Sequence, residues 1–287
     1  MRYIIAALSL SILFLGCKES EEAINTTDAY QRLNDLVVDG SITGKQVQFT
    51  VYLPPAYFTN SQRRFPVVYH LHGLNDQHNA SQINTLPDFM EQVWANGIWE
   101  EAIIVFPDGE TNSMWSDAVN QSKLVETHII QEIIPYVDAT FRTKATGEHR
   151  FIQGFSMGGF GALKLIGRYP ELFAKAISFD GALHNWTTFS FLRADIAAEM
   201  FNSDQTQFEA TADPILQVLS NQSLFQNKKR IHLNYGTLGI VQQLNTTAHQ
   251  ALNQHGILHD YEYSNCGHDL SCILTNLGDR LFEFYEY

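Results

Sequence analysis

The sequence predicts a single α/β domain with a mostly parallel central sheet and helices on both faces, and three observations carry that reading. From about residue 33, short β-rich runs alternate with helical patterns. Neither a long linker nor an internal repeat interrupts the alternation. The run Ala102-Ile103-Ile104-Val105-Phe106 is continuously apolar, as expected of a parallel strand buried on both faces. Strands are expected near 34–38, 46–53, 66–71, 102–106, 150–155, 175–179, 230–235 and 258–263. Helical periodicity falls over 122–137, 157–168, 240–255 and 271–284. The stretch 182–228 has no strong strand and contains Asp213-Pro214, so it reads as a small inserted, partly helical cap over the carboxyl ends of the strands, where such folds bind ligands.

Composition narrows the function. The 287 residues are 45% hydrophobic and 17% charged, which is globular and long enough to bury a substantial core. With 18 Lys+Arg against 31 Asp+Glu the formal charge is −13. Capture of nucleic acid needs a basic surface to replace phosphate counterions, so no nucleic-acid partner is expected.

The amino terminus stands apart from this domain. Met1-Arg2-Tyr3 supplies one positive charge, and Ile4 to Leu15 is almost wholly apolar, the layout of a secretory signal too short to span a bilayer comfortably. Phe14-Leu15-Gly16-Cys17 resembles the lipobox of bacterial lipoproteins, which implies cleavage after residue 16 and lipidation of Cys17. A plain signal peptide cut nearby and an uncleaved anchor are the alternatives. Residues 17–30 are polar and acidic and read as a tether, which leaves 31–287 for the folded domain. Without Arg2, 17 basic side chains face 31 acidic ones, a net −14, so the acyl chains and no basic patch must hold the protein to the cell envelope. The expected location is exported and lipid-anchored, on the periplasmic or surface face of the outer membrane. Of the remaining cysteines, Cys266 and Cys272 lie six apart in a compartment that permits disulfides, and both a bridge and two buried thiols stay open.

The chemistry begins at Gly154-Phe155-Ser156-Met157-Gly158, a G-x-S-x-G motif between an expected strand and an expected helix. A serine held on so sharp a turn projects its hydroxyl clear of the sheet, and the helix start beside it offers N–H groups to a developing oxyanion. That hydroxyl is inert without a base, and Cys266-Gly267-His268-Asp269 places His268 on a late loop after the last strand. Asp269, its neighbour in sequence, suits a helix N-cap better than the acid that would orient His268. The loop after the third strand, His70-Leu71-His72-Gly73-Leu74, is expected to bring a second oxyanion donor, so the backbone N–H groups of Leu74 and Met157 are the candidate pair.

These segments, together with Tyr52-Leu53-Pro54-Pro55-Ala56-Tyr57 and Phe106-Pro107-Asp108-Gly109, resemble the esterase D family of α/β-hydrolases, which includes feruloyl and acetyl esterases. The resemblance covers roughly 35–287 and implies an α/β-hydrolase fold and a serine carboxylic-ester hydrolase acting through an acyl-enzyme, with no metal and no cofactor. It also marks a departure. The family's triad acid usually follows a Gly-x-x-Asp context, and the matching stretch here is Gly236-Thr237-Leu238-Gly239. Three explanations stay open. The acid has moved to Asp180 in Ser178-Phe179-Asp180-Gly181, or Asp213, Asp204 or Glu262 reaches in, or a Ser-His dyad operates. Asp180 is preferred. For the substrate pocket the resemblance points to Trp115, and the cap contributes Trp186.

Two rival readings follow. His70, His72, Asp76 and His78 are ligand types suited to zinc, although their spacing is wide for a compact hydrolytic centre. A catalytically impaired lipoprotein that binds a glycan or other ligand on a hydrolase scaffold is the other, and Gly239 is its best support. The preferred reading is an esterase for acetyl, feruloyl or similar esters met outside the cytoplasm.

Overall fold

Eight strands hydrogen-bond into one sheet in the order β1–β2–β4–β3–β5–β6–β7–β8: β1 Gln31–Asp39, β2 Gln46–Leu53, β3 Val67–Leu71, β4 Ile103–Pro107, β5 Arg150–Phe155, β6 Lys175–Phe179, β7 Ile231–Gly236 and β8 His259–Ser264. This computed structural model describes residues 30–80 and 82–285; the signal segment, Cys17 and the tether up to residue 29 lie outside them. Only β1 and β2 run antiparallel to their neighbours, and from β4 to β8 the sheet is parallel. The inner parallel strands β3, β4, β5 and β6 are buried almost throughout, which is why β4 reads as an unbroken apolar run, whereas edge strand β8 is mostly half-buried.

Helices cover both faces: α1 Gln82–Ala95, α2 Ile134–Thr140, α3 Met157–Arg168, α8 Gln242–Gln254, α9 Leu270–Leu277 and α10 Arg280–Tyr285 outside the cap. Helix α1 was not expected from the sequence. Pro87 inside it masks the pattern, although Ile83, Leu86, Met90 and Val93 keep helical spacing and are all buried. The expected helix 122–137 is instead Val125–Thr127, a π-helical His128–Ile133 and α2 end to end. The π segment turns His128 and Glu132 toward the β1–β2 hairpin, where Glu132 accepts from the Ile42 and Thr43 amides at 2.8 and 3.0 Å. The expected 271–284 is broken into α9 and α10 at Gly278, whose φ is +52°.

The insert between β6 and β7 is helical: α4 Trp186–Leu192, α5 Ala194–Phe201, α6 Gln205–Thr211 and α7 Pro214–Ser220. Phe189, Phe201 and Phe208 form its own aromatic core, with ring centroids 4.7 to 5.8 Å apart, and Phe208 reaches Phe160 of α3 at 6.3 Å. Below it α3 carries a fully buried lysine. Lys164 donates to the Trp115 carbonyl at 2.5 Å, the Ser116 hydroxyl at 3.0 Å and Glu126 at 2.6 Å. Burial works against the Glu126 carboxylate, but Lys164 and Arg168 outweigh it and hold its carboxyl below the usual range. The network ties the long loop after β4 to the helix that follows Ser156.

Candidate active site

Ser156 sits between β5 and α3 with φ +57° and ψ −113°, a conformation that costs a non-glycine residue about 1–3 kcal/mol unless the surroundings enforce it. They do. The Ser156 N–H donates to the Phe179 carbonyl at 3.0 Å, and its carbonyl accepts from Ala182 at 2.9 Å and Phe160 at 3.2 Å. The glycines of the motif serve close approach: a Cβ on Gly158 would lie 1.8 Å from the Leu71 carbonyl oxygen, and one on Gly154 would lie 2.4 Å from the Gly158 backbone. The elbow is thereby packed directly against the end of β3.

The three side chains named from the sequence meet. His268 Nε2 is 2.9 Å from Ser156 Oγ, and His268 Nδ1 is 2.5 Å from Asp180 Oδ2. Asp180 is fully buried and accepts a second hydrogen bond from the Gly236 N–H at 3.0 Å, while the His268 side chain keeps 26% exposure at the mouth of the site. The Phe155 ring lies 4.5 Å from the imidazole. Since Nδ1 faces a carboxylate, the proton belongs on Nδ1 and Nε2 is left free to accept from the serine hydroxyl.

The other acids considered are committed elsewhere. Asp213 and Asp204 cap α7 and α6, accepting from Ile215 and Leu216 and from Thr206 and Gln207, and Glu262 pairs with Arg280 at 3.0 Å. Asp269 caps α9 through the Cys272 amide at 2.9 Å, as its place in sequence implied. Gly239 lies beside the acid: a Cβ there would be 2.9 Å from Asp180 Oδ2 and 3.1 Å from the Gly236 carbonyl. Its backbone angles do not require glycine, so space alone does. Sequence reasoning missed this role for Gly239.

Leu74 follows Gly73, and Met157 follows Ser156 in the chain. Gly73 lies against the serine, since a Cβ on it would be 3.6 Å from Ser156 Cβ, and Met157 is the first residue of α3. Among the described residues neither amide donates to an acceptor, which leaves two N–H groups free beside Ser156. Cys266 and Cys272 are bridged, with an S–S distance of 2.00 Å, so the loop holding His268 is closed at both ends.

One expectation is corrected. Trp115 is fully buried and presents no wall to a substrate. Its ring lies against Gly109 and Gly161, where a Cβ would come within 2.5 Å of it, and Nε1 donates to the His72 carbonyl at 3.2 Å, so it serves the core beneath the loop after β3. The sequence marked a large aromatic on the right loop but not its direction. Trp186 is half-buried at the start of α4, with its ring 5.6 Å from Phe208. The proposed metal ligands do not converge. His70 bonds Gln82, His72 bonds Gly73 and Gly109, Asp76 bonds Gln82, and His78 lies between Asp35 and Asp108.

Comparison with known proteins agrees with this geometry. The family described as "Putative esterase" matches residues 40–270, and the chain belongs to that family. An esterase of Mycobacterium tuberculosis, Rv1288, is 37% identical over 134 residues, which is 46% of this chain and 28% of that protein. A protein of Xylanibacter ruminicola named endo-1,4-beta-xylanase/feruloyl esterase is 31% identical over 137 residues, 46% of this chain and 19% of that protein. The chain thus aligns with less than a third of the length of these curated relatives. A solved ferulic acid esterase superposes with a TM-score of 0.75 at 20% identity, covering 90% of this chain and 99% of that one, which places the sheet and its helices in the α/β-hydrolase fold.

Proposed function

We propose that this chain is a serine carboxylic-ester hydrolase. The observation that carries the reading is the unbroken hydrogen-bonded line from buried Asp180 through His268 to Ser156 on its strained turn. Ser156 Oγ attacks the ester carbonyl carbon while His268 Nε2 takes the hydroxyl proton. The carbonyl oxygen becomes an oxyanion facing the Leu74 and Met157 amides. As the tetrahedral intermediate collapses, the ester C–O bond breaks, His268 returns the proton to the departing alcohol, and an acyl-Ser156 remains. Water then repeats the sequence and releases the acid. Asp180 holds the imidazole in the productive tautomer and stabilises the imidazolium.

The impaired-scaffold reading loses its main support, because the acid missing at Gly239 stands at Asp180. For the substrate we favour acetyl, feruloyl or similar esters on molecules met outside the cytoplasm. The support is the presence of relatives named for feruloyl ester hydrolysis and the resemblance of residues 1–16, before Cys17, to a lipoprotein signal. Full-length protein incubated with p-nitrophenyl acetate and methyl ferulate should turn over at least one of them, and a fluorophosphonate should label Ser156. Ser156→Ala should lower kcat by about 10⁶-fold. Undiminished turnover in that variant ends the serine reading, and recovery of the full-length protein wholly in the soluble fraction ends the anchored one.

A further inference from the structure

The hydrogen bonds of His72, beside the site, determine its proton position without reference to any ligand. Its Nε2 faces the Gly109 N–H at 2.9 Å, and an amide N–H can only donate, so Nε2 accepts and carries no proton. Its Nδ1 faces the Gly73 carbonyl at 2.8 Å, which can only accept, so Nδ1 carries the proton. The ring is buried and tilted by 59° against Trp115 with centroids 4.8 Å apart, and the His72 carbonyl is held in turn by the Trp115 indole N–H. Burial pushes the pKa of this imidazole below its ordinary value, against the opposing pull of the Gly73 carbonyl and of Asp108 and Asp76.

The bond to Gly73 has a consequence one atom further on. In a trans peptide the C=O of residue 73 and the N–H of residue 74 point in opposite directions. The Gly73 carbonyl is turned inward by His72 Nδ1, with the Asp76 amide adding a longer bond at 3.3 Å. The Leu74 N–H is therefore turned away from His72, and the residue before it lies beside the nucleophile, since a Cβ on Gly73 would be 3.6 Å from Ser156 Cβ. A flipped peptide would present the oxyanion with a carbonyl oxygen in place of a donor.

We propose that His72 is a positioning residue, which acts through the Gly73–Leu74 peptide by donating from Nδ1 to the Gly73 carbonyl and so aiming the Leu74 N–H at the oxyanion. The inference rests on the serine-esterase reading and assigns that reading's oxyanion hole its orienting group.

Two amides of similar size separate this role from a merely structural one. Asn places its amide nitrogen near the Nδ1 position and can restore the bond to Gly73, whereas Gln reaches the Nε2 position and can restore only the bond from Gly109. His72→Asn should keep kcat within about fivefold of wild type. His72→Gln should lose about 10²-fold in kcat with KM little changed, because one oxyanion donor contributes about 10²–10³ to kcat. Equal kcat in the two variants, or a loss carried by KM alone, overturns the proposal. If either variant fails to fold, nitrogen NMR of wild-type His72 at neutral pH decides: protonated Nδ1 with bare Nε2 supports the role, and the opposite tautomer or an imidazolium overturns it. Wild-type turnover and Ser156→Ala run in parallel test the parent reading, so a Ser156-dependent enzyme indifferent to the Asn/Gln choice sinks this inference alone.

Discussion

Strands β6 and β7 lie side by side in parallel and end at the same edge of the sheet, yet their loops contribute opposite things to the site. The β6 loop supplies a carboxylate: Asp180, at φ +45°, aims its side chain at His268. The β7 loop supplies backbone and room, through the Gly236 N–H that bonds Asp180 Oδ1 and through Gly239, whose missing side chain leaves space for Oδ2. What His268 Nδ1 requires is a carboxylate at one point in space, and either strand end reaches that point. Only one loop can hold the acid, because a side chain on Gly239 and the Asp180 carboxylate compete for the same volume.

The comparison breaks most severely at the acid itself. Asp180→Asn keeps a residue that tolerates positive φ and should lower kcat by about 10⁴-fold, since Nδ1 then loses the carboxylate that sets the tautomer. Near-normal ester turnover by this variant would mean that another group orients His268. The reciprocal exchange sharpens the point. Asp180→Gly suits the backbone at that position and vacates the volume, so Asp180→Gly/Gly239→Asp should exceed the single Asp180→Gly variant by tenfold or more, about 1.4 kcal/mol of transition-state stabilisation.

Gly239→Ala tests the spatial half of the argument. Its Cβ would meet Asp180 Oδ2 at 2.9 Å, and kcat should fall by about 10- to 100-fold with KM unchanged, as expected when a clash displaces the orienting carboxylate and leaves the pocket intact. Unchanged kcat would show that the carboxylate shifts without consequence. The smallest effect is expected one strand further on, where the Cys266–Cys272 bridge closes the loop that carries His268. Cys266→Ser/Cys272→Ser should lower stability by about 2 kcal/mol through the freed unfolded chain, read as a fall in Tm, with less than a tenfold loss of kcat. A loss near that of Asp180→Asn would show that the bridge, and not the acid, holds the imidazole.

Much of this was legible before the fold. All eight strands fall near their expected positions, because short β-rich runs between helical patterns are a local signal. Ser156 and His268 were legible from motif and chain order. Helix α1 was obscured by Pro87. The direction of Trp115 could not be read at all, because a tryptophan on a loop after β4 has the same local sequence whether it turns to the ligand or into the core.

What the sequence alone determined is therefore the positions of the eight strands, the turn that carries Ser156 and the late loop that carries His268, since each rests on residues adjacent in the chain. The tertiary structure decided which carboxylate meets His268. Asp180 lies 88 residues from His268, the two are joined by a 2.5 Å hydrogen bond, and the glycine that makes room for that contact is a further 59 residues beyond Asp180. Choosing among carboxylates needs distances between strand ends, and those distances exist only once β6, β7 and β8 are aligned in one sheet.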